Sequence, residues 1–169
     1  MPNKKIHIVG SVASGKTTLA KQLSIKLGIP YYELDNVVWE RLPDGERRRT
    51  DEERDAHLKS ILENDAWIIE GVHHEWVADS LEQAEQIIYL DTPMYKRRIR
   101  IVTRFIKQKL KLEKANYTPT FEIFRKMFKW NRHFETVGKP AVLEKLAPYE
   151  KKTHIVRKSN MKVINRRDA

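Results

Sequence analysis

Apolar and polar positions along this chain alternate between two periods. Ile6 to Val9 is a short apolar run suited to a buried parallel strand, and Thr17 to Leu27 carries Leu19, Leu23 and Leu27 at helical spacing. Gly28 and Ile29-Pro30 stop that helix, so Tyr31 to Leu34 reads as a second strand with Asp35 at its exit. The polar stretch Trp39 to Arg49 holds a Pro-Asp-Gly turn signal and reads as a loop. Thr50 and Glu53 then stand at capping-box spacing ahead of Leu58, Ile61 and Leu62, which marks a helix start. Ala66 to Gly71 gives a third strand ending at Glu70-Gly71, and Gln86 to Leu90 a fourth running out at Asp91, with the amphipathic stretch Trp76 to Ala84 between them. Further helices are predicted over 96–112 and 121–134. A break is expected at Gly138-Lys139-Pro140, then a helix from Ala141 to Leu146, a fifth strand from Thr153 to Arg157, and a last short helix capped by Ser159.

Strands alternating with helices predict an α/β fold, a parallel sheet with helices on both faces and a ligand at the carboxyl ends of the strands. That arrangement brings Asp35, Glu70 and Asp91 to one rim. On the helix 96–112 the wheel separates Ile99, Val102, Phe105, Ile106 and Leu110 from a basic stripe of Arg97, Arg100, Arg104, Lys107 and Lys111.

Composition narrows the class. A chain of 169 residues reads as a single domain over 1–169, large enough to bury a core. It has no cysteine, which excludes disulfides and thiolate metal sites. No apolar h-region follows the N-terminal lysines and no segment has the length of a membrane span, so the expectation is a cytoplasmic protein with no membrane partner. The net charge of +10 is concentrated: Met94 to Arg132 holds thirteen Lys and Arg against Glu113 and Glu122, a net of +11, while the remaining residues sum to −1. Such a segment suits a lid that closes over a polyphosphate, or an arm that contacts nucleic acid.

The sharpest signal is "GSVASGKTT", which fits G-x-x-x-x-G-K-[ST] with Gly10, Gly15, Lys16 and Thr17 in the fixed places. A strand precedes it and a helix follows. In that setting Ser11, Ala13, Ser14 and Thr18 complete a loop whose backbone N–H groups turn inward to cradle phosphates, helped by the positive end of the helix dipole. Lys16 supplies a mobile charge for the β/γ-phosphates and Thr17 a hard oxygen for Mg²⁺. ATP and Mg²⁺ are the expected cofactors.

This loop, with "LDNVVW", "WIIEG", "IIYLD", the Arg-rich helix and a fifth strand ending in Arg157, resembles the P-loop nucleoside and nucleotide kinase superfamily, closest to the adenylate kinase-like "DNA topology modulation protein" family. The resemblance implies a three-layer α/β/α sandwich with a five-stranded parallel sheet in the order 2-3-1-4-5. It also implies an acceptor-binding region over 36–65, a basic helical lid insert over 94–132, and Arg157 beside the nucleotide. Adenylate kinases carry an Arg where this chain has Val38, and another soon after strand three, where it has Val72, His73 and His74. Both grip the phosphate of a nucleoside monophosphate. Their absence leaves room for an acceptor that offers a hydroxyl without a phosphate as well as for a phosphate-bearing one, the latter if Arg47 to Arg49 substitute.

Phosphoryl transfer needs a cradle, a metal, charge neutralisation and an oriented acceptor. The catalytic candidates are Lys16, Asp35, Arg100 and Arg104. Asp35 is placed to accept the acceptor's hydroxyl proton or to bind the metal's water shell, and Arg100 and Arg104 to reach the γ-phosphate when the lid shuts. Thr17 and Glu70, the latter through water, are the metal candidates. Asp91 reads as a turn residue, and His73 and His74 as loop. The expected partners are ATP and a small-molecule acceptor such as a nucleoside, a nucleotide or another hydroxyl compound; the alternative is a nucleotide-binding regulatory protein whose basic segment contacts DNA or RNA.

Overall fold

The computed structural model describes residues 4–112 and 119–157. The expectation of a helix capped by Ser159 lies outside them. Five parallel strands form the main sheet: β1 (Lys5–Gly10), β2 (Tyr31–Glu33), β5 (Trp67–Gly71), β6 (Gln86–Leu90) and β7 (Thr153–Val156). Their order is β2-β5-β1-β6-β7. Among these five alone the sequence is second, third, first, fourth, fifth; the labels shift because an antiparallel hairpin, β3 (Trp39–Leu42) with β4 (Gly45–Arg48), intervenes outside the sheet.

The strands are apolar on both sides because both faces are covered. On one face Ile6, Ile8, Ile68 and Ile88 meet Leu19, Ala20 and Leu23 of α1 (Lys16–Leu27). On the other, Val9, Trp67, Ile69 and Tyr89 meet α2 (Leu34–Val38), α3 (Asp51–Leu62), α4 (Ala78–Gln83) and α7 (Lys139–Leu146). This is the expected three-layer sandwich. α3 begins with the predicted capping box, Thr50 and Glu53 bonding each other's backbone N–H.

Two expectations are corrected. The polar stretch Trp39 to Arg49 is mostly hairpin, with Glu40 opposite Arg47 and Arg41 opposite Glu46. Cross-strand charge pairs hold it where an apolar alternation is absent. The expected break at Gly138 does not occur: α6 (Phe121–His133) passes through a π-helical segment, Phe134–Gly138, directly into α7. Pro140 falls just after the π-helical segment, where the hydrogen-bond register of the helix changes and a residue without an N–H is accommodated. The long helix α5 (Met94–Lys109) packs with α6 beside the carboxyl end of the sheet.

Candidate nucleotide and acceptor site

β1 ends at Gly10, and the chain turns through Ser11 to Gly15 into α1. Gly15 has φ 101°, a left-handed conformation that a side chain disfavours and that starts the helix with its N–H groups facing the loop. Inside the loop the Ser14 N–H donates to the Ser11 carbonyl (3.2 Å), and Lys16 Nζ donates to the same carbonyl (2.9 Å). The hydroxyls of Ser11 and Ser14 are buried and have no hydrogen-bond partner. A loop that encloses unpaired polar atoms and folds an ammonium over itself is suited to a phosphate guest. Ala13, with φ 58°, completes the turn, and Thr18 is exposed at the head of α1.

From the adjacent strand, Glu70 of β5 comes to the loop's mouth and accepts from Thr17 Oγ1 at 2.5 Å. Glu70 is 4% exposed, and burial pushes its carboxyl above the usual range even though Lys16 and the Thr17 hydrogen bond pull the other way. A carboxylate buried at a cost, next to a hydroxyl oxygen, calls for a cation, and hard oxygens are what Mg²⁺ selects. Among the described residues no group of three or more His, Asp or Glu could hold a metal by itself. Mg²⁺ characteristically takes only one or two protein oxygens with phosphate and water, so Thr17 and Glu70 fit it.

Asp35 sits one residue into α2, brought against β5 by Gly71, where a Cβ would lie 2.6 Å from Leu34 Cδ1. Its carboxylate lies 3.5 Å from His73 Nε2. Hydrogen bonding to His73 holds the Asp35 carboxyl below its ordinary range, and Lys16 acts in the same direction. His73 in turn packs against Trp76 (centroids 5.2 Å apart), with Arg54 stacked over the indole at 4.7 Å. His73 is the residue the sequence reading missed. It lacks metal-site spacing, and its meaning comes only from Asp35, which lies in another element.

The arginines expected in a lid divide. Arg100 Nη1 donates to the carbonyls of Ala13 (3.2 Å) and Ser14 (2.6 Å), so it braces the phosphate loop from its carbonyl side. Thr92 joins it on the Ser14 carbonyl at 2.9 Å. Arg104 is partly buried on the same inner side of α5. Arg97 is 2% exposed, paired with Glu135 and stacked near Phe134. Asp91 accepts from Lys139 Nζ at 2.6 Å, consistent with its reading as a structural residue. Arg157 is exposed at the exit of β7, just beyond Val156, whose carbonyl accepts from the Asp91 N–H. Arg47 is taken up by Glu40 and Glu53, and Arg49 donates to the carbonyls of Asn36 and Val37.

The family model described as AAA domain (AAA_18) matches residues 6–117, more than half of the chain, and the chain belongs to that family. It is also 32% identical over 62 residues to a shikimate kinase of Paracidovorax citrulli (strain AAC00-1), a match that spans 37% of this chain and only 34% of that relative. Two solved structures share the fold across almost the whole length. The shikimate kinase of Bacteroides thetaiotaomicron superposes with TM-score 0.55 at 17% identity, covering 95% of this chain and 90% of that one. The shikimate kinase of Acinetobacter baumannii in complex with shikimate gives TM-score 0.54 at 18% identity, covering 96% and 91%. The structural likenesses show the fold, and none of these comparisons reaches the narrower "DNA topology modulation protein" branch.

Proposed function

We propose that this protein is an ATP-dependent, Mg²⁺-requiring kinase that transfers a phosphoryl group to the hydroxyl of a small-molecule acceptor. The observation that carries this reading is the placement of Asp35, ionised by His73 and Lys16, on the same rim as the phosphate loop and Glu70. An ionised carboxylate facing a phosphate cradle suits a hydroxyl that must lose its proton as it attacks.

In this account the loop from Gly10 to Thr18 binds the triphosphate through backbone N–H groups, and Lys16 leaves the Ser11 carbonyl to meet the β/γ-phosphates. Thr17, and Glu70 through water, would hold Mg²⁺, which when bound would supply positive charge to screen the phosphates. Asp35 orients the acceptor hydroxyl and takes its proton while the bond from the γ-phosphorus to the bridging oxygen breaks. His73 keeps the Asp35 carboxylate ionised and turned. Arg100 stabilises the loop, Arg104 stands ready for the transferred group, and Arg157 flanks the nucleotide. Residues 36–65 form the acceptor side and 94–132 the lid.

The engagement of Arg47 and Arg49 within their own region supports an acceptor without a phosphate of its own. The local likeness to a shikimate kinase supports a small hydroxyl compound of that kind. The rival reading, a regulator whose basic segment contacts DNA or RNA, draws on the net +11 of that segment. Against it, Arg97 and Arg100 are turned inward to Glu135 and the phosphate loop.

The test is transfer of γ-labelled phosphate from ATP to a panel of nucleosides, nucleotides and sugar-like alcohols. We expect label on a hydroxyl compound lacking phosphate, and strong loss of transfer in Asp35→Asn. Label appearing only on nucleoside monophosphates would overturn the acceptor class. Label released only to water, with Asp35→Asn unaffected, would overturn the kinase reading.

A further inference from the structure

An amphipathic helix ordinarily buries its apolar side, but much of the apolar side of α5 is open to solvent. Its inner side is Arg97, Ile101 and Gln108, all buried, with Arg100 on the phosphate loop. Its outer side shows Tyr95, Ile99, Val102 and Ile106 to solvent at 60, 62, 39 and 51% exposure, and Leu110, just past the helix end, continues the line at 63%. Isolated exposed apolar residues are ordinary; a continuous line of them on one helix face marks an interaction surface.

The shape of the line selects its occupant. Positions 95, 99, 102 and 106 are spaced four, three, four, the spacing of a coiled-coil seam, and lie within roughly a quarter of the helix circumference. A bilayer interface takes a broader apolar face. The seam fits one helix laid along α5.

Its rim selects the charge. α5 contains no Asp or Glu. Arg98 and Lys109 border one side of the seam, and Lys96, Thr103 and Lys107 the other. Lys109 lies over the Phe105 ring and Lys96 over Tyr95, each at 5.8 Å, which holds both ammonium groups at the seam's margin. A second copy of α5 would set the same cations against each other. The chain's own residues 158–169, with four basic groups and one acid, would also meet the rim as like charges. We propose that the outer face of α5 is a docking surface for an acidic amphipathic helix of a partner protein, with apolar residues at its a and d positions and Asp or Glu beside them. This proposal does not depend on the nucleotide site.

The probe is a lactam-bridged helical peptide of about four turns, long enough to follow the seam at about 1.5 Å per residue, with Leu at a and d and Glu at the flanking positions. Fluorescence anisotropy at physiological salt compares it with a scrambled peptide and with a twin carrying Lys for Glu. We expect the acidic peptide to bind wild type best, and the pair Ile99→Ser with Ile106→Ser to weaken it about tenfold or more. The pair Arg98→Glu with Lys109→Glu should transfer preference to the Lys twin. All four side chains are exposed, so circular dichroism melts should show the variants folded. The proposal fails if the scrambled peptide binds equally well, or if the Ser pair leaves binding unchanged. It fails equally if sedimentation shows a wild-type dimer that the Ser pair makes monomeric, since a second copy then occupies the seam. Binding to phosphatidylglycerol vesicles, lost in the Ser pair and without peptide binding, would assign the face to a membrane and also overturn it.

Discussion

Glu70 and Asp35 share a rim but stand in opposite electrostatic situations. Glu70 is buried, and its carboxyl is pushed up by that burial; Asp35 is exposed, and its carboxyl is held down by His73. The first therefore gains by receiving a cation, and the second stays ionised and can accept a hydrogen bond from a hydroxyl. Substitution should separate them. Glu70→Gln is expected to raise the Mg²⁺ concentration needed for half-maximal turnover, and Asp35→Asn to leave that requirement alone while slowing transfer to the acceptor. Mg²⁺ titrations of the two variants with the reverse pattern would exchange the roles. A different residue governs acid stability. His7, wholly buried in β1, pairs its Nδ1 with Ser80 Oγ at 3.0 Å, and Ser80 Oγ itself donates to the Val77 carbonyl, so Nδ1 carries the proton. Burial drops its pKa to about 3. The folded state thus resists a proton that the unfolded chain accepts below about pH 6.5, and stability is lost as pH falls from there toward 3, by about 1.4 kcal/mol per pH unit for this group. Denaturant unfolding at pH 6.5 and pH 5 should show this loss in wild type and a shallower one in His7→Asn; equal slopes would remove His7 from the account.

At the scale of elements, what the sequence disclosed followed the range of the interactions. The phosphate loop, the capping box of α3 and the five sheet strands were legible because each is written in neighbouring residues: Gly10 to Thr17, Thr50 with Glu53, apolar runs bounded by turns. The hairpin β3–β4 was not, since Arg41–Glu46 and Arg47–Glu40 pairs stabilise it without an apolar alternation. The helix α5 was legible as a helix, but which of its residues face inward was not. Arg97, Ile101 and Gln108 are buried, and the partners of the arginines lie far along the chain: Glu135 for Arg97, and the carbonyls of Ala13 and Ser14 for Arg100. His73 was hidden for the same reason. Arg100, expected to reach the γ-phosphate, instead braces the loop in the structure, and this predicts more than a turnover defect. Arg100→Ala should weaken nucleotide affinity as well as lower turnover, because the carbonyls of Ala13 and Ser14 lose a charged donor. Unchanged affinity with a large loss of turnover would return Arg100 to a role confined to the transition state.

Across the whole molecule, the charge is organised around one rim. Part of the net +11 of residues 94–132 is turned inward: Arg100 and Arg97 hold α5 to the phosphate loop and to Glu135. Among the described residues no helix is long and apolar enough to cross a membrane. The two sheet faces bury separate cores on either side of β1, which keeps Lys16, Glu70 and Asp35 on a rigid edge while α5 and α6 stand over it. The central claim is that this edge is a nucleotide site worked by Lys16, and calorimetric titration with Mg²⁺-ATP tests it most directly. Wild type should bind one equivalent, and a hundredfold excess over the dissociation constant should stabilise the fold by about 2.7 kcal/mol. Lys16→Ala should lose most of the heat and most of the stabilisation. Wild type that takes up no Mg²⁺-ATP, or a Lys16→Ala variant that binds it as tightly as wild type, would contradict the account.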